Sequence, residues 1–264
     1  MTRNKLICDT NVWYEIASKR IDTSQINDLL FGTHITCSEL ASTQRLISNL
    51  PFIKDVVTAL KQNHYKIILP NPAEHILSIF FHDFIPDVSG STKILEAFDI
   101  LINLDTTSIP LEKIEMVQNQ IDNIVNPLQN FSNRLNDGLI IIRERVLQQE
   151  GRKKHQNADH LIYWKEYISD FVKNYSLEYC EREYIINPND ANWIQLTCFI
   201  GVWEKYFKLL ESENRKFDRN DWADLFNLVY VQPGFKYWTF ENKWKNIIRN
   251  DHNLKHYFFE QNGS

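Results

Sequence analysis

The chain has 264 residues, of which 43% are hydrophobic and 24% are charged, a balance typical of a soluble globular protein. It has no run of roughly 20 apolar residues, and its N-terminal segment lacks the apolar stretch of a signal peptide, so we expect a cytoplasmic protein without a membrane span. The net charge of -5 argues against a protein that coats nucleic acid through bulk attraction, so a nucleic-acid enzyme would need a local basic patch.

The N-terminal part of the sequence alternates between strand patterns and helix patterns. An apolar run, KLIC, opens the chain as a strand that ends at Asp9, and a second β-type stretch, HITC, is followed by Ser38, a candidate helix cap. The predicted elements are strands over 5–8, 34–37 and 65–69, and helices over 11–18, 38–49 and 52–63. Such alternation favours a parallel sheet covered by helices on both faces.

The middle of the chain changes character, because residues 92–210 carry few strand signals and long stretches of apolar residues at three- and four-residue spacing. They are predicted to be mostly helical. The α/β pattern then returns, with helices over 220–230 and 243–249 and strands over 237–239 and 256–260. We therefore predict an α/β domain formed by residues 1–75 and 215–264, with residues 76–214 as an all-helical insertion.

Acidic side chains stand at the edges of these predicted elements. Asp9 follows the first strand, and Glu39 opens the helix after the second strand. Asp221 and Asp224 lie three apart on one helix, and Glu241 follows the strand YWT. Ligands of open α/β sheets bind beyond the carboxyl ends of the strands, although Asp9 taken by itself is more typical of a helix N-cap or an Asx-turn. Converging carboxylates repel by roughly 4 kcal/mol per pair at 4 Å and an effective dielectric of about 20, so a bound cation is expected.

Four blocks of the sequence together resemble the PIN-domain family. They are C-D-T-N-V-W at 8–13, C-S-E-L-A at 37–41, R-N-D-W-A-D-L at 219–225 and Y-W-T-F-E-N at 237–242. The resemblance covers roughly residues 4–75 and 215–264. It implies a three-layer α/β/α fold with a short parallel central sheet, and hydrolysis of phosphodiesters, usually of RNA, with Mg²⁺ or Mn²⁺.

The resemblance also implies roles for individual residues. The implied metal ligands are Asp9, Glu39, Asp221 and Glu241. Supporting positions are Thr10 and Asn11, which match a polar pair that orients the first Asp, and Thr239, which precedes the last acid. Glu241 departs from the commoner Asp at its position, so Asp224 is an additional candidate ligand. Oxygen ligands of this kind suit Mg²⁺ or Mn²⁺.

The hypothesis favoured by these features is a metal-dependent endoribonuclease that acts on single-stranded or structured RNA, with a role as a toxin or defence effector suggested by analogy alone. Candidate RNA contacts are Lys153 and Lys154, which lie in the basic run 152–155, and Lys205 and Lys208. A second basic run covers residues 215–219. Two further possibilities are that the helical insertion binds an inhibitory protein partner and that the chain forms a homodimer. One alternative is an inactive PIN-fold scaffold, in which Glu241, standing where Asp is commoner, leaves the site unable to hold a productive metal. The other is a DNA nuclease, which would need a larger basic surface.

Three tryptophans, Trp222, Trp238 and Trp244, crowd the acidic motif. Aromatic side chains can stack on bases of single strands, but the spacing here favours a role in the core. The histidines and the four cysteines follow no zinc-binding spacing, so the cysteines are expected to be reduced thiols.

Overall fold

The described residues form a four-stranded parallel sheet surrounded by helices. A computed structural model describes residues 3–23, 26, 29–62, 66–103, 160–212 and 216–260, together with scattered positions between 112 and 140. The strands are β1 (Lys5–Cys8), β2 (Leu29–Thr33), β3 (Ile67–Ile68) and β4 (Phe235–Trp238). Their order is β3-β2-β1-β4, and all neighbours are parallel. The mixed α/β architecture with a parallel sheet is therefore confirmed.

The two ends of the chain pair within this sheet, because the edge strand β4 lies beside β1. Ile7 of β1 pairs with Phe31 of β2 on one side and with Tyr237 of β4 on the other. The ladder continues past the last pair, since the backbone N–H of Asp9 donates to the carbonyl of Trp238 at 3.0 Å. All strands are parallel, so the residues after β1 and β4 lie side by side at one edge of the sheet.

Helices account for most of the remaining described residues. They are α1 (Thr10–Ala17), α2 (His34–Ala41), α3 (Arg45–Ser48), α4 (Leu50–Lys61), α5 (Pro72–Phe80), α6 (Ser89–Asn103), α7 (His160–Tyr179), α8 (Thr197–Ser212), α9 (Arg219–Asn227) and α10 (Asn242–Asn250). None of the described helices is long and apolar enough to cross a membrane. The described residues of the middle of the chain are mostly helical, as predicted, although residues 180–192 form no helix.

The prediction of a strand at residues 34–37 was wrong. The second strand is β2, and HITC forms the first turn of α2. The cap is Thr33, whose side chain accepts a hydrogen bond from the backbone N–H of Thr36 at 3.2 Å, so Ser38 lies inside the helix. As a result Glu39 stands near the end of α2 instead of opening a helix. The strand predicted over 256–260 is reduced to a single bridge between Phe258 and Tyr237 after a 3₁₀ turn.

Alternate residues of the strands enter two separate hydrophobic clusters. Leu6 and Cys8 of β1, and Trp238 of β4, pack with apolar residues of α1, α2, α4 and α6. Ile7 and Tyr237 pack with apolar residues of α5, α7, α8, α9 and α10. Successive side chains of a strand point to opposite faces, so helices cover the sheet on both sides.

The predicted helical insertion is packed into the same core as the sheet. Trp164 of α7 and Trp203 of α8 share one cluster with Ile7 of β1. The predicted boundary between residues 75 and 76 falls inside α5, which runs continuously from Pro72 to Phe80. The other predicted boundary, between 214 and 215, lies outside the described residues, as do the basic residues 152–155 and Arg215.

Candidate metal centre

Asp9 lies at the carboxyl end of the central strand, and three groups orient its carboxylate. Oδ1 accepts a hydrogen bond from the backbone N–H of Thr10 at 2.7 Å. Oδ2 accepts from Asn11 Nδ2 at 2.6 Å and from Thr239 Oγ1 at 2.7 Å. Asp9 is therefore both the N-cap of α1 and a buried, fixed carboxylate at the sheet edge. The structure brings together this acid and the supporting residues predicted for it.

Three carboxylates converge at this edge. One oxygen each from Asp9, Asp224 and Glu241 lie within 4.8 Å of one another. Asp9 and Asp224 are buried, whereas Glu241 is exposed. Glu241 is placed by the turn after β4, where its backbone N–H donates to Thr239 Oγ1 at 3.1 Å. We call these three residues the acidic cluster.

Glu39 adjoins the acidic cluster without belonging to it. Its Oε2 accepts a hydrogen bond from the hydroxyl of Thr10, the residue that follows Asp9. Burial and the charges of Asp9 and Glu241 together raise the pKa of Glu39 to about 8, against the lowering effect of the hydrogen bond from Thr10. The predicted acid is thus close enough to interact electrostatically with the cluster, and Thr10 joins them.

Asp221 lies outside the acidic cluster, contrary to its predicted place among the ligands. Its Oδ2 accepts from the backbone N–H of Asp218 at 2.8 Å, in the capping box that begins α9, and also from the hydroxyl of Tyr206. Its Oδ1 is paired with Lys243. Of the two acids that lie three apart on this helix, the structure places Asp224 in the cluster and Asp221 in a helix-capping network.

Sequence reasoning missed Lys243 and Tyr206. Lys243 Nζ is paired with Asp221, lies 3.9 Å from Asp224 Oδ2, and stands 4.2 Å from the ring centre of Trp244. It belongs to the first turn of α10, where the helix dipole disfavours a positive charge. A lysine at that position therefore signals a nearby acidic partner. No comparable signal marks Tyr206, because its role depends on the packing of α8 against α9.

The protonation of the cluster reflects burial and repulsion. Burial raises the pKa of Asp9, and the charge of Glu241 adds to this, against hydrogen bonds from Thr239, Thr10 and Asn11. Burial also raises the pKa of Asp224 well above its usual range, with further contributions from Asp9 and Glu241. Both shifts indicate that the protein's own positive charge, from Lys243, neutralises these carboxylates only in part. A cation bound among them would reverse the effect.

A buried tyrosine provides a second, independent indication of a ligand. Tyr237 is fully buried, and its hydroxyl has no hydrogen-bond partner among the described residues. Burial raises its pKa well above the usual range, and the next largest causes are the charges of Asp9 and Asp224. Buried hydroxyls in proteins are normally hydrogen-bonded, so this one has hydrogen-bonding capacity that the described residues do not use.

The donor atoms fit a hard divalent cation. All candidate ligands are carboxylate oxygens, which suit Mg²⁺ or Mn²⁺ better than Zn²⁺ or copper. A spread of up to 4.8 Å suits an ion that takes one or two carboxylates directly and reaches the others through water. Asp9, Asp224 and Glu241 are the residues that would hold it, with Glu39 nearby.

The other residues considered as nucleic-acid contacts are buried or paired with acids, where the structure describes them. Trp222, Trp238 and Trp244 are 5%, 1% and 0% exposed, so they belong to the core, as their spacing indicated. Lys205 is paired with Asp251 at 2.9 Å, and Lys208 with Glu204 at 2.6 Å. Lys153 and Lys154 lie outside the described residues.

Comparisons with known proteins add no family to these observations. The chain matches no family model, and neither curated proteins nor solved structures give a significant match.

Proposed function

We propose that this chain is a Mg²⁺- or Mn²⁺-dependent phosphodiesterase that cleaves RNA. The observation that supports it most is the convergence of three carboxylate oxygens within 4.8 Å at the carboxyl ends of β1 and β4. Three converging carboxylates repel one another and destabilise the fold unless a cation binds them. The buried Tyr237 hydroxyl, which has no partner among the described residues, adds unused hydrogen-bonding capacity. RNA as the substrate rests on the resemblance to PIN domains, as does a role as a toxin or defence effector restrained by a protein partner.

The fold is consistent with this proposal. Helices on both faces of a parallel sheet, with β1 central and an acid directly after it, suit a three-layer α/β/α PIN-like arrangement. In this proposal Asp9, Glu39, Asp224 and Glu241 are the four acids of the site. Asp221, which the resemblance placed among them, instead holds Lys243 and the start of α9.

The protein's own residues would do the positioning. Asn11 and Thr239 hold the Asp9 carboxylate from two sides, and Thr10 links it to Glu39. Lys243, 3.9 Å from Asp224, adds a positive charge beside the cluster that a phosphate group would also experience. A divalent ion bound there supplies charge neutralisation and acidifies water for attack on a phosphodiester. Protons in the reaction can be held by Glu39, because burial raises its pKa to about 8.

One observation favours a second candidate, an inactive PIN-fold scaffold. Lys243 already brings an ammonium group to the acidic cluster, so the protein carries part of the neutralising charge itself. In a scaffold this lysine would take over the role of the metal. The exposed position of Glu241 is compatible with either function.

Cleavage assays separate the two candidates. Single-stranded RNA and DNA panels are incubated with wild type, Asp9→Asn and Asp99→Asn in Mn²⁺, Mg²⁺ or EDTA. We expect metal-dependent cleavage of RNA, reduced at least about 100-fold in Asp9→Asn, because its carboxylate would contact the ion. Asp99→Asn is the matched control, since it makes the same exchange in a surface ion pair with Lys61. Equal inactivity of all three proteins at matched purity supports the scaffold.

A further inference from the structure

Lys243 lies between two acids of α9 and has little freedom to move. Its Nζ is paired with Asp221 Oδ1 and lies 3.9 Å from Asp224 Oδ2. The same atom stands 4.2 Å from the ring centre of Trp244, which is buried. The side chain of Lys243 is only 24% exposed. A lysine is seldom buried to this extent unless it is paired, so these contacts fix the position of its charge.

Asp221 keeps the lysine in place because its own position is fixed. Its Oδ2 accepts hydrogen bonds from the backbone N–H of Asp218 at 2.8 Å and from the hydroxyl of Tyr206, while Oδ1 accepts from Lys243. Asp221 is 3% exposed. Displacing the ammonium would leave this buried carboxylate without its ion-pair partner, which is strongly unfavourable.

The ammonium occupies the place where a second metal ion would need its ligands. Catalytic sites with two divalent ions hold them about 3.5–4 Å apart, so the ions share or adjoin the same carboxylates. Asp224 gives one oxygen to the acidic cluster, and Lys243 stands beside its Oδ2 while it engages Asp221, the preceding acid of α9. A divalent ion at this position would lie within a few ångströms of a fixed positive charge, which would repel it. No second group of three potential ligands occurs among the residues that the structure describes.

We propose that Lys243 takes the place of a second metal ion, so that the acidic cluster binds a single divalent cation. This proposal rests on the cation site of the function proposed above. In two-metal sites the second ion stabilises the oxygen that leaves the phosphate, and here the Lys243 ammonium would supply that positive charge. The proposal also accounts for the position of Asp221, which holds the lysine instead of an ion.

The test counts bound Mn²⁺ by electron paramagnetic resonance, and it does not depend on activity. The full-length, metal-free chain is titrated with Mn²⁺ as wild type, Lys243→Met, Lys243→Arg and Lys245→Met. Lys243→Met removes the charge from a side chain of similar length, and Lys243→Arg keeps the charge. Lys245→Met is the matched control, because it makes the same exchange two residues further along α10. We expect a second bound Mn²⁺ in Lys243→Met and a single Mn²⁺ in the other three proteins.

The outcomes separate this proposal from the proposed nuclease. A second Mn²⁺ in wild type or in Lys243→Arg overturns it, even if Lys243→Met fails to fold, and leaves the nuclease standing. A single Mn²⁺ in Lys243→Met that is folded by circular dichroism also overturns it, because the lysine then excludes no ion. The expected counts without any cleavage of RNA keep the role of Lys243 and remove the nuclease. A wild-type chain that binds no Mn²⁺ overturns both.

Discussion

Asp221 and Asp224 lie one turn apart on α9, and the structure uses them in opposite ways. Both are buried, at 3% and 6% exposure. Asp221 accepts hydrogen bonds from the Asp218 backbone and Tyr206 and is paired with Lys243. Asp224 instead faces Asp9 and Glu241, with Lys243 at 3.9 Å.

The difference teaches how to recognise a carboxylate that needs a ligand. Burying a charge is costly unless donors and an opposite charge surround it. Asp221 has such partners within the protein and is stable without further additions. Burial and the neighbouring acids raise the pKa of Asp224, and its ion-pair partner Lys243, at 3.9 Å, is shared with Asp221, so a further cation or a proton would complete its environment. The two residues have the same chemistry, and their neighbours decide their roles.

The largest effect that would sharpen this comparison is on stability. Asp221→Asn removes the charge that Lys243 faces and weakens the hydrogen bonds from Tyr206 and Asp218. We expect the free energy of unfolding to fall by about 3 kcal/mol, the low end for breaking a buried ion pair. Urea denaturation measures it, with the surface exchange Asp99→Asn as a control that should change it by less than about 1 kcal/mol. A stable but inactive Asp221→Asn would place Asp221 among the ligands.

Asp224→Asn should show the reverse pattern. It removes one carboxylate of the acidic cluster, so we expect kcat/KM on RNA to fall about 100-fold, equivalent to about 2.7 kcal/mol. In EDTA the variant should be at least as stable as wild type, because the exchange relieves repulsion with Asp9 and Glu241. Cleavage rates and melting temperatures in EDTA provide both values. Full activity in this variant would break the comparison.

The smallest expected effect is the dependence of metal stabilisation on pH. Burial raises the pKa of Glu39 from 4.5 to about 8, so the folded state binds more protons than the unfolded state between these values. The metal-free protein therefore loses stability as pH rises through this range, by at least about 1.4 kcal/mol, the equivalent of one pKa unit. At this chain length, a change of this size corresponds to about 3–6 °C in melting temperature.

Added Mg²⁺ or Mn²⁺ should restore this loss, so the metal-induced rise in melting temperature grows from pH 5.5 to pH 8.5. Thermal melts with metal and with EDTA measure the rise at each pH. In Glu39→Gln the metal-free protein should lose much of its pH dependence, because the titrating group is gone. A rise of equal size at both pH values would show that proton release from these acids is not coupled to metal binding.

Much of the fold and most of the candidate site could be predicted from local patterns. KLIC was identified as a buried strand because its apolar residues are continuous, and YWT as a strand for its aromatic residues. The position of Asp9 after the central strand follows from the first of these. The supporting residues Thr10, Asn11 and Thr239 came from the family resemblance, and their hydrogen bonds to Asp9 or its neighbours agree with those roles.

Local patterns failed where distant residues decided the outcome. HITC is rich in β-branched residues, yet it begins α2, because β2 ends at Thr33, before the predicted strand starts, and Thr33 caps the helix. Asp221 and Asp224 are equivalent by spacing, and only the positions of Tyr206 on α8 and Lys243 on α10 separate them. Asp221 belongs to the capping box of α9, whereas Asp224 lies with Asp9 and Glu241 at the carboxyl ends of β1 and β4.

The sequence by itself determined that a parallel α/β sheet is built from both ends of the chain, because period-two and helical apolar patterns are local and strong. It also identified Asp9, Glu39 and Glu241 as candidate site residues. Only the tertiary structure decided which α9 carboxylate joins them and which lysine stands beside them. The physical reason is that burial and charge neutralisation depend on neighbours far apart in the chain, which packing brings together.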